Sequence, residues 1–364
     1  MRNDSKPTVL VAMSGGVDSS TAALLLKQKG YDVFGITMKL WDYQEGHSGE
    51  GHCCSLEASN DARAVCHYLE IPHYTVDMRE DIKREVISNF VEEYYRGRTP
   101  NPCILCNTEI KWKSLLDKAK QLGADFLATG HYARVQYDQK NKRYLLKKGI
   151  DKTKDQAYAL WGLSQENLSH TFLPLGELTK KEVRKIAREN NLKVADKEES
   201  QEICFIPDDD YPGFILNWEK GRKIPQGDIV NLKEEKIGEH KGIPFYTIGQ
   251  RKGIGIQNEK PLYVINIDAQ KNLICVAEEK ELYRSSFLVR DLNWIAIEKL
   301  EEPIKCEIKI RYLHEPVGGW VYPLPEGMVN AKFDKPQRAI TPGQSAVFYD
   351  DDLVLGGGTI DSVE

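Results

Sequence analysis

The first 40 residues alternate between apolar runs and a helical pattern. An apolar run from Thr8 to Met13 precedes an Ala- and Leu-rich helix from Ser19 to Lys29, and a second apolar run follows from Asp32 to Met38. Gly30 lies just beyond that helix, where glycine readily takes the left-handed conformation that ends helices. Strand, helix and strand at this spacing predict a βαβ unit with a parallel sheet and a right-handed crossover.

The same alternation of strand and helix patterns continues to residue 207. Apolar residues three and four positions apart mark the helices, and short apolar runs mark buried strands. One helix opens with a capping box, in which a threonine and a glutamate three residues later satisfy each other's backbone N–H groups. The expected elements are an amphipathic helix containing Ala62 to Leu69, a strand His73 to Asp77, a helix Asp81 to Tyr95, a strand Asp125 to Thr129, a hairpin of Ala133 to Tyr137 with Tyr144 to Lys148, and a helix from Thr179 to Glu189. We therefore expect an α/β fold with a doubly wound parallel sheet.

The composition changes from Asp208 onward. Prolines and glycines become frequent, and short alternating strands replace the helices. From about Ser285 to Glu364 the strands are five to eight residues long with Pro/Gly turns, which is typical of a small β-barrel. We expect three domains: an α/β domain at 1–207, a small β-rich domain at 208–280 and a β-barrel domain at 281–364.

Bulk properties narrow the classes of function. No apolar run is long enough to cross a membrane, and the polar segment Met1 to Pro7 has no signal-peptide core, so we expect a cytoplasmic protein with no membrane partner. A net charge of −5 argues against a uniformly basic nucleic-acid binder, so any RNA contact must come from local patches such as Tyr246 to Gly253. Eight cysteines without an export signal favour catalytic, redox or metal-binding thiols.

The most informative stretch is the loop Ser14-Gly15-Gly16-Val17-Asp18-Ser19, between the first strand and the first helix. Adjacent glycines let successive backbone N–H groups point into one concavity, and the helix adds its unpaired N–H donors, so the loop suits an anion. Ser14 and Ser19 add hydroxyl donors, and Asp18 could hold Mg²⁺ or cap the helix. The Lys-Ser/Thr pair of the GxxxxGK[ST] loop is absent, which favours pyrophosphate over a transferable γ-phosphate.

Two further stretches contain cysteines in polar surroundings. In the segment Arg96 to Asn107, Pro100 and Pro102 predict a rigid loop before Cys106, and the helix that follows places Cys106 near a helix N-terminus, where a thiolate is stabilised. Cys103 and Cys106 also have the spacing of a zinc or redox CxxC pair. The second stretch contains Cys204, in Ser200 to Ile206. A zinc site built from His47, His52, Cys53 and Cys54, together with Cys66 and His67, fits the usual ligand spacing poorly.

The SGGVDS loop resembles the PP-loop of ATP pyrophosphatases, which split ATP between the α and β phosphates. Together with NPCILCN, the SQEICFI cysteine, YTIGQRKG and TPGQSAVFY, it makes the whole chain resemble the MnmA family of bacterial tRNA-specific 2-thiouridylases. The resemblance implies an adenine nucleotide α-hydrolase-like fold. It also implies ATP-dependent 2-thiolation of the wobble uridine, U34, of tRNA by adenylylation of the C2 oxygen and sulfur transfer from a cysteine persulfide, releasing AMP and pyrophosphate.

The resemblance also implies roles for particular residues. Cys204 would carry the persulfide and Cys106 would be the partner nucleophile, closing a disulfide as sulfur is delivered. ATP and Mg²⁺ are the expected cofactors, and the partners are the anticodon stem-loop of tRNA and a sulfur-carrier protein or cysteine desulfurase. The implied nucleotide site is Ala12, Met13, Ser14, Gly15, Gly16, Val17, Asp18, Ser19, Met38 and Gly130. The implied RNA contacts are Asn101, Pro102, Cys103, His131, Lys154, Asp155, Gln156, Arg311, Tyr312 and Gln344.

One departure from the family pattern leaves an alternative open. Many members have Asp where this chain has Cys103, so Cys103, Cys106 and Cys204 could instead hold an iron–sulfur cluster that carries sulfide. Three other classes share part of the pattern: a PP-loop ligase acting on small acids, a 4-thiouridine synthetase and a non-enzymatic RNA-binding or zinc module.

Overall fold

Five parallel strands form the sheet on which the N-terminal part of the chain is built. The computed structural model describes residues 6–41, 56–198, 203–206, 210–218 and 221–364. The chain divides into two compact units. The first comprises residues 1–86, 103–209 and 352–354, and the second comprises residues 87–102, 210–351 and 355–364. The possible zinc ligands His47, His52, Cys53 and Cys54 lie outside the described residues.

The sheet of the first unit has the strand order β3-β2-β1-β4-β7, and every neighbouring pair is parallel. Its strands are β1 (Thr8–Ala12), β2 (Asp32–Lys39), β3 (His73–Asp77), β4 (Phe126–Ala128) and β7 (Thr171–Phe172). An antiparallel hairpin, β5 (Ala133–Asp138) and β6 (Arg143–Lys148), follows β4. The expected doubly wound parallel α/β sheet is confirmed, with β1 at its centre.

Helices cover this sheet. They are α1 (Val17–Gln28), α2 (Leu56–Tyr68), α3 (Arg79–Ile82), α6 (Leu116–Gln121), α7 (Gln165–Ser169) and α8 (Lys180–Glu189), with π-helical turns at Lys83–Ile87 and Cys106–Leu115 and a 3₁₀ turn at Ala157–Leu160. Val9, Val11, Ala22 and Ala62 are fully buried between the sheet and these helices. The capping box at Thr179 and Glu182 is present, with the Thr179 backbone N–H 2.7 Å from the Glu182 carboxylate.

One helix begins earlier than the sequence predicts. We expected a rigid loop up to Cys106 and a helix after it, but a helix, α5 (Pro102–Leu105), already starts at Pro102 and continues into the π-helical turn Cys106–Leu115. Proline suits the first helical position because its missing N–H would have no partner there. Cys106 is therefore the fifth helical residue, and the helix N-terminus lies at Pro102.

In the second unit the described residues form two β-structures and the α-helices α4 (Ser88–Tyr95) and α9 (Tyr211–Trp218), the latter not predicted. A four-stranded sheet has the order β10-β11-β8-β9, from β8 (Gly227–Val230), β9 (Lys236–His240), β10 (Tyr263–Asp268) and β11 (Leu273–Ala277). The remaining strands are β12 (Tyr283–Trp294), β13 (Ile304–Lys309), β14 (Val317–Pro323), β15 (Val329–Arg338), β16 (Ser345–Asp350) and β17 (Leu353–Val363). Their order is β12-β15-β14-β13-β16-β17, and pairing of β12 with β17 closes the expected barrel around Phe287, Ile308 and Phe348.

Candidate active site

The strand order places two loops at one point of the parallel sheet. From β1 the chain moves outward to β2 and β3, then returns to the other side of β1 with β4. The carboxyl ends of two strands on either side of such a reversal form the crevice in which open α/β sheets bind ligands. The loop at Ser14–Gly16 follows β1, and Thr129–Gly130 follows β4. Met38, half-buried near the end of β2, lies at the same edge.

The Ser14–Ser19 loop has a local geometry that only glycine permits at one position. Gly15 has φ +71°, and a Cβ there would collide with the backbone of Ala58. Gly16, extended at φ −95° and ψ 170°, is the N-cap of α1. The hydroxyl groups of Ser14 and Ser19 lie 3.2 Å apart, and the Ser14 backbone N–H donates to the Ser19 hydroxyl at 3.2 Å. The loop and the first helical turn therefore present backbone N–H and hydroxyl groups at one point, which suits a phosphate.

Asp18 has a different role from the one expected. It does not cap α1, since Gly16 holds the cap position. Both carboxylate oxygens of Asp18 lie 2.8 Å from the ammonium of Lys180, and the Tyr132 hydroxyl donates to one of them at 2.7 Å. Lys180 is largely buried, with its side chain 11% exposed. Asp18 thus connects α1 to α8 and to the segment after β4.

Gly130 permits close approach of α1 itself. A Cβ on Gly130 would lie 2.8 Å from the Asp18 carbonyl carbon and from the Ser19 nitrogen. Real Cβ atoms do not approach backbone so closely, so any larger residue must push the end of β4 away from the N-terminus of α1. We expected Gly130 to permit close approach of a nucleotide; in the structure its missing side chain permits close approach of the loop that would hold the phosphates.

His131 follows Gly130 directly, in surroundings that favour the uncharged form of its imidazole. Its Nδ1 lies 2.7 Å from the Thr129 hydroxyl, and its ring centroid lies 5.7 Å from that of the fully buried Trp112. Burial, with a smaller contribution from the Lys111 ammonium, lowers the pKa of His131 well below its ordinary value. His131 is therefore neutral at pH 7, and it can donate or accept one hydrogen bond through each ring nitrogen without carrying charge.

The six described cysteines differ in exposure. Cys103 is exposed, whereas Cys106 and Cys204 are half-buried thiols in the first unit. Burial raises the pKa of both Cys66 and Cys306 to about 12, so these two are inert core residues at neutral pH. Within the described ranges, no three His, Cys, Asp or Glu side chains gather into a group that could hold a metal ion.

In the second unit, the residues before Pro102 are held by a dense set of hydrogen bonds. The Arg98 guanidinium contacts the Glu93 carboxylate at 2.7 Å and the carbonyls of Ile360 and Asp361 at 2.9 and 3.0 Å. The Gln344 side-chain amide donates to the carbonyls of Thr99 and Pro100 at 3.0 and 3.2 Å. Asn101, half-buried, follows directly. Gln344, which we expected to contact RNA, therefore uses its amide N–H groups to hold this loop, here called the 98–101 loop.

The other expected RNA contacts lie in two places. In the first unit, the Asp155 carboxylate accepts the Gly149 backbone N–H at 2.9 Å, and the Gln156 side chain accepts the Tyr132 backbone N–H at 2.9 Å, so both shape the turn that also contains Lys154. In the second unit, Arg311 donates to the Arg338 carbonyl at 3.0 Å. The adjacent Tyr312 is 43% exposed.

Several residues that build these sites were not identified from the sequence. Lys180 and Tyr132 are distant in sequence from Asp18, and no motif marks them. Arg98 lies only three residues before Asn101, and its position beside the NPCILCN stretch was the available signal.

Comparisons with known proteins match three consecutive segments of the chain. Three family profiles match consecutive segments: a tRNA methyl transferase HUP domain at residues 7–208, a tRNA methyl transferase PRC-barrel domain at 215–278, and an aminomethyltransferase beta-barrel domain at 284–360. In the part of the chain that the structure describes, no helix is both long and apolar enough to span a bilayer.

The similarity to individual proteins extends over the whole chain. A tRNA-specific 2-thiouridylase MnmA of Acetivibrio thermocellus is 49% identical and covers 98% of this chain and 99% of its own length. A protein of the same name from Clostridioides difficile is 48% identical and covers 97% of this chain and 98% of its own length. At this identity and coverage, with the HUP-domain profile matching more than half of the chain, the protein belongs to the tRNA-specific 2-thiouridylase family, MnmA.

Proposed function

We propose that this enzyme transfers sulfur to C2 of the wobble uridine, U34, of tRNA at the expense of ATP. The observation that carries the proposal is the Ser14–Ser19 loop at the reversal of the parallel sheet, in a chain whose relatives are 2-thiouridylases. The wobble base lies in a single-stranded loop of the tRNA, so moving it into a protein site breaks no base pair. We expect the reaction to occur in the cytoplasm, where tRNA is modified.

Adenylylation is the first proposed step, because an oxygen doubly bonded to C2 is a poor leaving group. The O2 atom of uridine attacks the α-phosphorus of ATP, a new P–O bond forms, and pyrophosphate leaves. The Ser14–Ser19 loop fits this role because the Ser14 and Ser19 hydroxyls lie 3.2 Å apart at the N-terminus of α1, where backbone N–H groups lack helical partners. The Asp18 carboxylate is the group in this loop that would hold Mg²⁺, with Lys180 2.8 Å from both of its oxygens, and no step here is routed through the ion.

Sulfur transfer is the second proposed step. The terminal sulfur of a persulfide on Cys204, supplied by a sulfur-carrier protein or a cysteine desulfurase, attacks C2, and AMP leaves with the former uridine oxygen. The Cys106 thiolate then attacks the Cys204 Sγ, so the S–S bond to the transferred sulfur breaks and a Cys106–Cys204 disulfide forms. A thiol reductant must return this disulfide to two thiols before the next turnover.

The test is thiolation of an unmodified tRNA transcript with ATP and a persulfide donor. The full-length protein is purified anaerobically, its iron and sulfide are measured, and the wild type is compared with Cys103→Ser, Cys106→Ser and Cys204→Ser. Cys275→Ser is the matched control, because Cys275 is half-buried like Cys106 and Cys204 but lies on β11.

We expect the wild type to thiolate tRNA without bound iron. We expect activity to be lost in Cys106→Ser and Cys204→Ser and kept in Cys103→Ser and Cys275→Ser. Activity that follows iron content, with all three variants at Cys103, Cys106 and Cys204 losing both, would establish the cluster mechanism. Pyrophosphate release with small acids but not with tRNA would instead identify a ligase.

A further inference from the structure

Lys111 is a half-buried cation of the first unit that pairs with no carboxylate among the described residues. Its ammonium instead donates to the side-chain oxygen of Asn107 at 2.9 Å. Lys113, two residues further on, differs in this respect, because its ammonium contacts the Glu109 carboxylate at 2.6 Å. A half-buried ammonium has lost part of its hydration, so without a fixed anion beside it Lys111 favours an anionic ligand.

Asn107 fixes the position of this ammonium without neutralising it. Asn107 is 2% exposed, and its amide N–H donates to the Ala159 carbonyl at 2.8 Å, so the direction of its side-chain oxygen is set. An amide carries no charge, and the ammonium therefore keeps its full positive charge for a ligand. Proteins stabilise the charge that develops on a phosphoryl group with cations whose positions are fixed in advance in this way.

Lys111 lies near the edge of the sheet at which the Ser14–Ser19 loop is found. The ring of the adjacent Trp112 lies 5.7 Å from that of His131, and the Lys111 ammonium is close enough to contribute to the low pKa of His131. His131 directly follows Gly130, whose missing side chain permits the loop to approach β4. The ammonium is therefore beside the crevice in which the loop would hold the phosphates of a nucleotide.

The π-helical turn Cys106–Leu115 places Lys111 on the same side as Cys106. A π-helix bonds each residue to the one five positions along, so residues five apart lie one above the other. In an α-helix the neighbours on one face are three or four positions apart, and Lys111 would be directed away from Cys106. The ammonium and the proposed nucleophile thus share one side of the segment, as two groups that act on the same uridine must.

We propose that Lys111 is a catalytic residue of the adenylylation step, in which its ammonium contacts a non-bridging oxygen of the α-phosphate of ATP. The inference rests on the proposed function. As the O2 atom of uridine attacks the α-phosphorus and the bond to pyrophosphate breaks, the non-bridging oxygens carry negative charge beside the attacking and leaving oxygens. The ammonium stabilises that charge and remains protonated, so no proton is transferred through Lys111.

The test is the rate at which ATP and unmodified tRNA release pyrophosphate in a single turnover without a persulfide donor, so that only the first step is measured. The full-length wild type is compared with Lys111→Ala, Lys111→Gln and Lys111→Arg. Lys113→Ala is the matched control, because Lys113 lies on the same π-helical turn but is exposed and pairs with Glu109. Each protein also receives the Rp and Sp diastereomers of ATPαS, in which sulfur replaces one non-bridging oxygen of the α-phosphate.

We expect Lys111→Ala and Lys111→Gln to slow pyrophosphate release about a hundredfold, the usual effect of removing one donor to a developing oxyanion. The dependence of the rate on ATP concentration should change little, because the contact strengthens in the transition state. Lys111→Arg should recover part of the rate, since it keeps the charge. The ratio of the rates with the two ATPαS diastereomers should change about tenfold in Lys111→Ala and Lys111→Gln but not in Lys113→Ala, because only groups in contact are coupled in this way.

Two results would overturn the inference. In the first, Lys111→Gln, whose amide can still bond to Asn107, releases pyrophosphate at the wild-type rate; slower alkylation of Cys106 in that variant would then assign the ammonium to the thiol. In the second, release is slow but the ATPαS ratio equals that of the wild type, which would give Lys111 a structural role. A wild type that releases pyrophosphate with tRNA while its variants show either result refutes only the role of Lys111, whereas a wild type that releases none refutes the proposed function.

Discussion

Replacing Arg98 by alanine should destabilise the second unit far more than replacing Arg96, although both arginines contact the same carboxylate. Glu93 is buried, with its side chain 8% exposed, and Arg98 is 15% exposed, whereas Arg96 is 64% exposed. Arg98 lies 2.7 Å from one oxygen of Glu93, and Arg96 lies 3.2 Å from the other.

The magnitude follows from what each replacement leaves behind. Without Arg98, the Glu93 carboxylate keeps only an exposed partner, and the carbonyls of Ile360 and Asp361 lose their guanidinium donors. Removing one member of a buried ion pair costs about 3–5 kcal/mol, and the remaining contact with Arg96 places this case near 3. Losing an exposed ion pair costs about 1 kcal/mol or less, which is the expectation for Arg96→Ala.

Urea denaturation of the full-length variants measures the difference, and hydrogen exchange localises it. Thr99 donates its backbone N–H to the Pro342 carbonyl at 2.9 Å, and this amide should exchange faster in Arg98→Ala but not in Arg96→Ala. A double variant, Glu93→Gln with Arg98→Ala, should recover part of the loss because no buried charge is left unpaired. Equal destabilisation by Arg96→Ala and Arg98→Ala would refute the reasoning, since burial of Glu93 would then have no energetic consequence.

Three further predictions concern the first unit. Gly130→Ala places a Cβ 2.8 Å from the backbone of α1, so it should cost about 1–3 kcal/mol and weaken ATP binding measured by calorimetry; Gly318→Ala, whose Cβ meets only the tip of a carboxylate, should do neither. Thr171→Val removes the hydroxyl 2.6 Å from the indole N–H of the buried Trp112 and should cost about 1–3 kcal/mol in urea, whereas Thr171→Ser should stay near wild type. Burial lowers the pKa of His131 below 6.5, so protons bind the unfolded chain preferentially. The free energy of unfolding should therefore fall as the pH decreases from about 6.5. An equal dependence of this free energy on pH in a His131→Asn variant would contradict the expectation.

Local features of the sequence determined the strands, helices and turns of the first unit that are named here. The βαβ unit, the Gly15-Gly16 turn and the Thr179–Glu182 capping box each depend on residues within a few positions of one another, so their patterns could be interpreted without knowing the fold. The barrel was also predicted, because strand length and turn residues are local properties, although its closure by pairing of β12 with β17 was not visible in any single strand.

Tertiary structure decided which side chains meet. Asp18 and Lys180 are 162 residues apart, Thr99 and Gln344 are 245 apart, and Arg98 and Asp361 are 263 apart. No periodicity or motif connects such pairs, because each contact depends on how whole strands and helices pack. The contact of Asp18 with Lys180 and the loop-holding contacts of Gln344 were therefore missed. Sequence pattern reports the neighbours of a residue along the chain, whereas the chemistry of a charged or amide group depends on its neighbours in space.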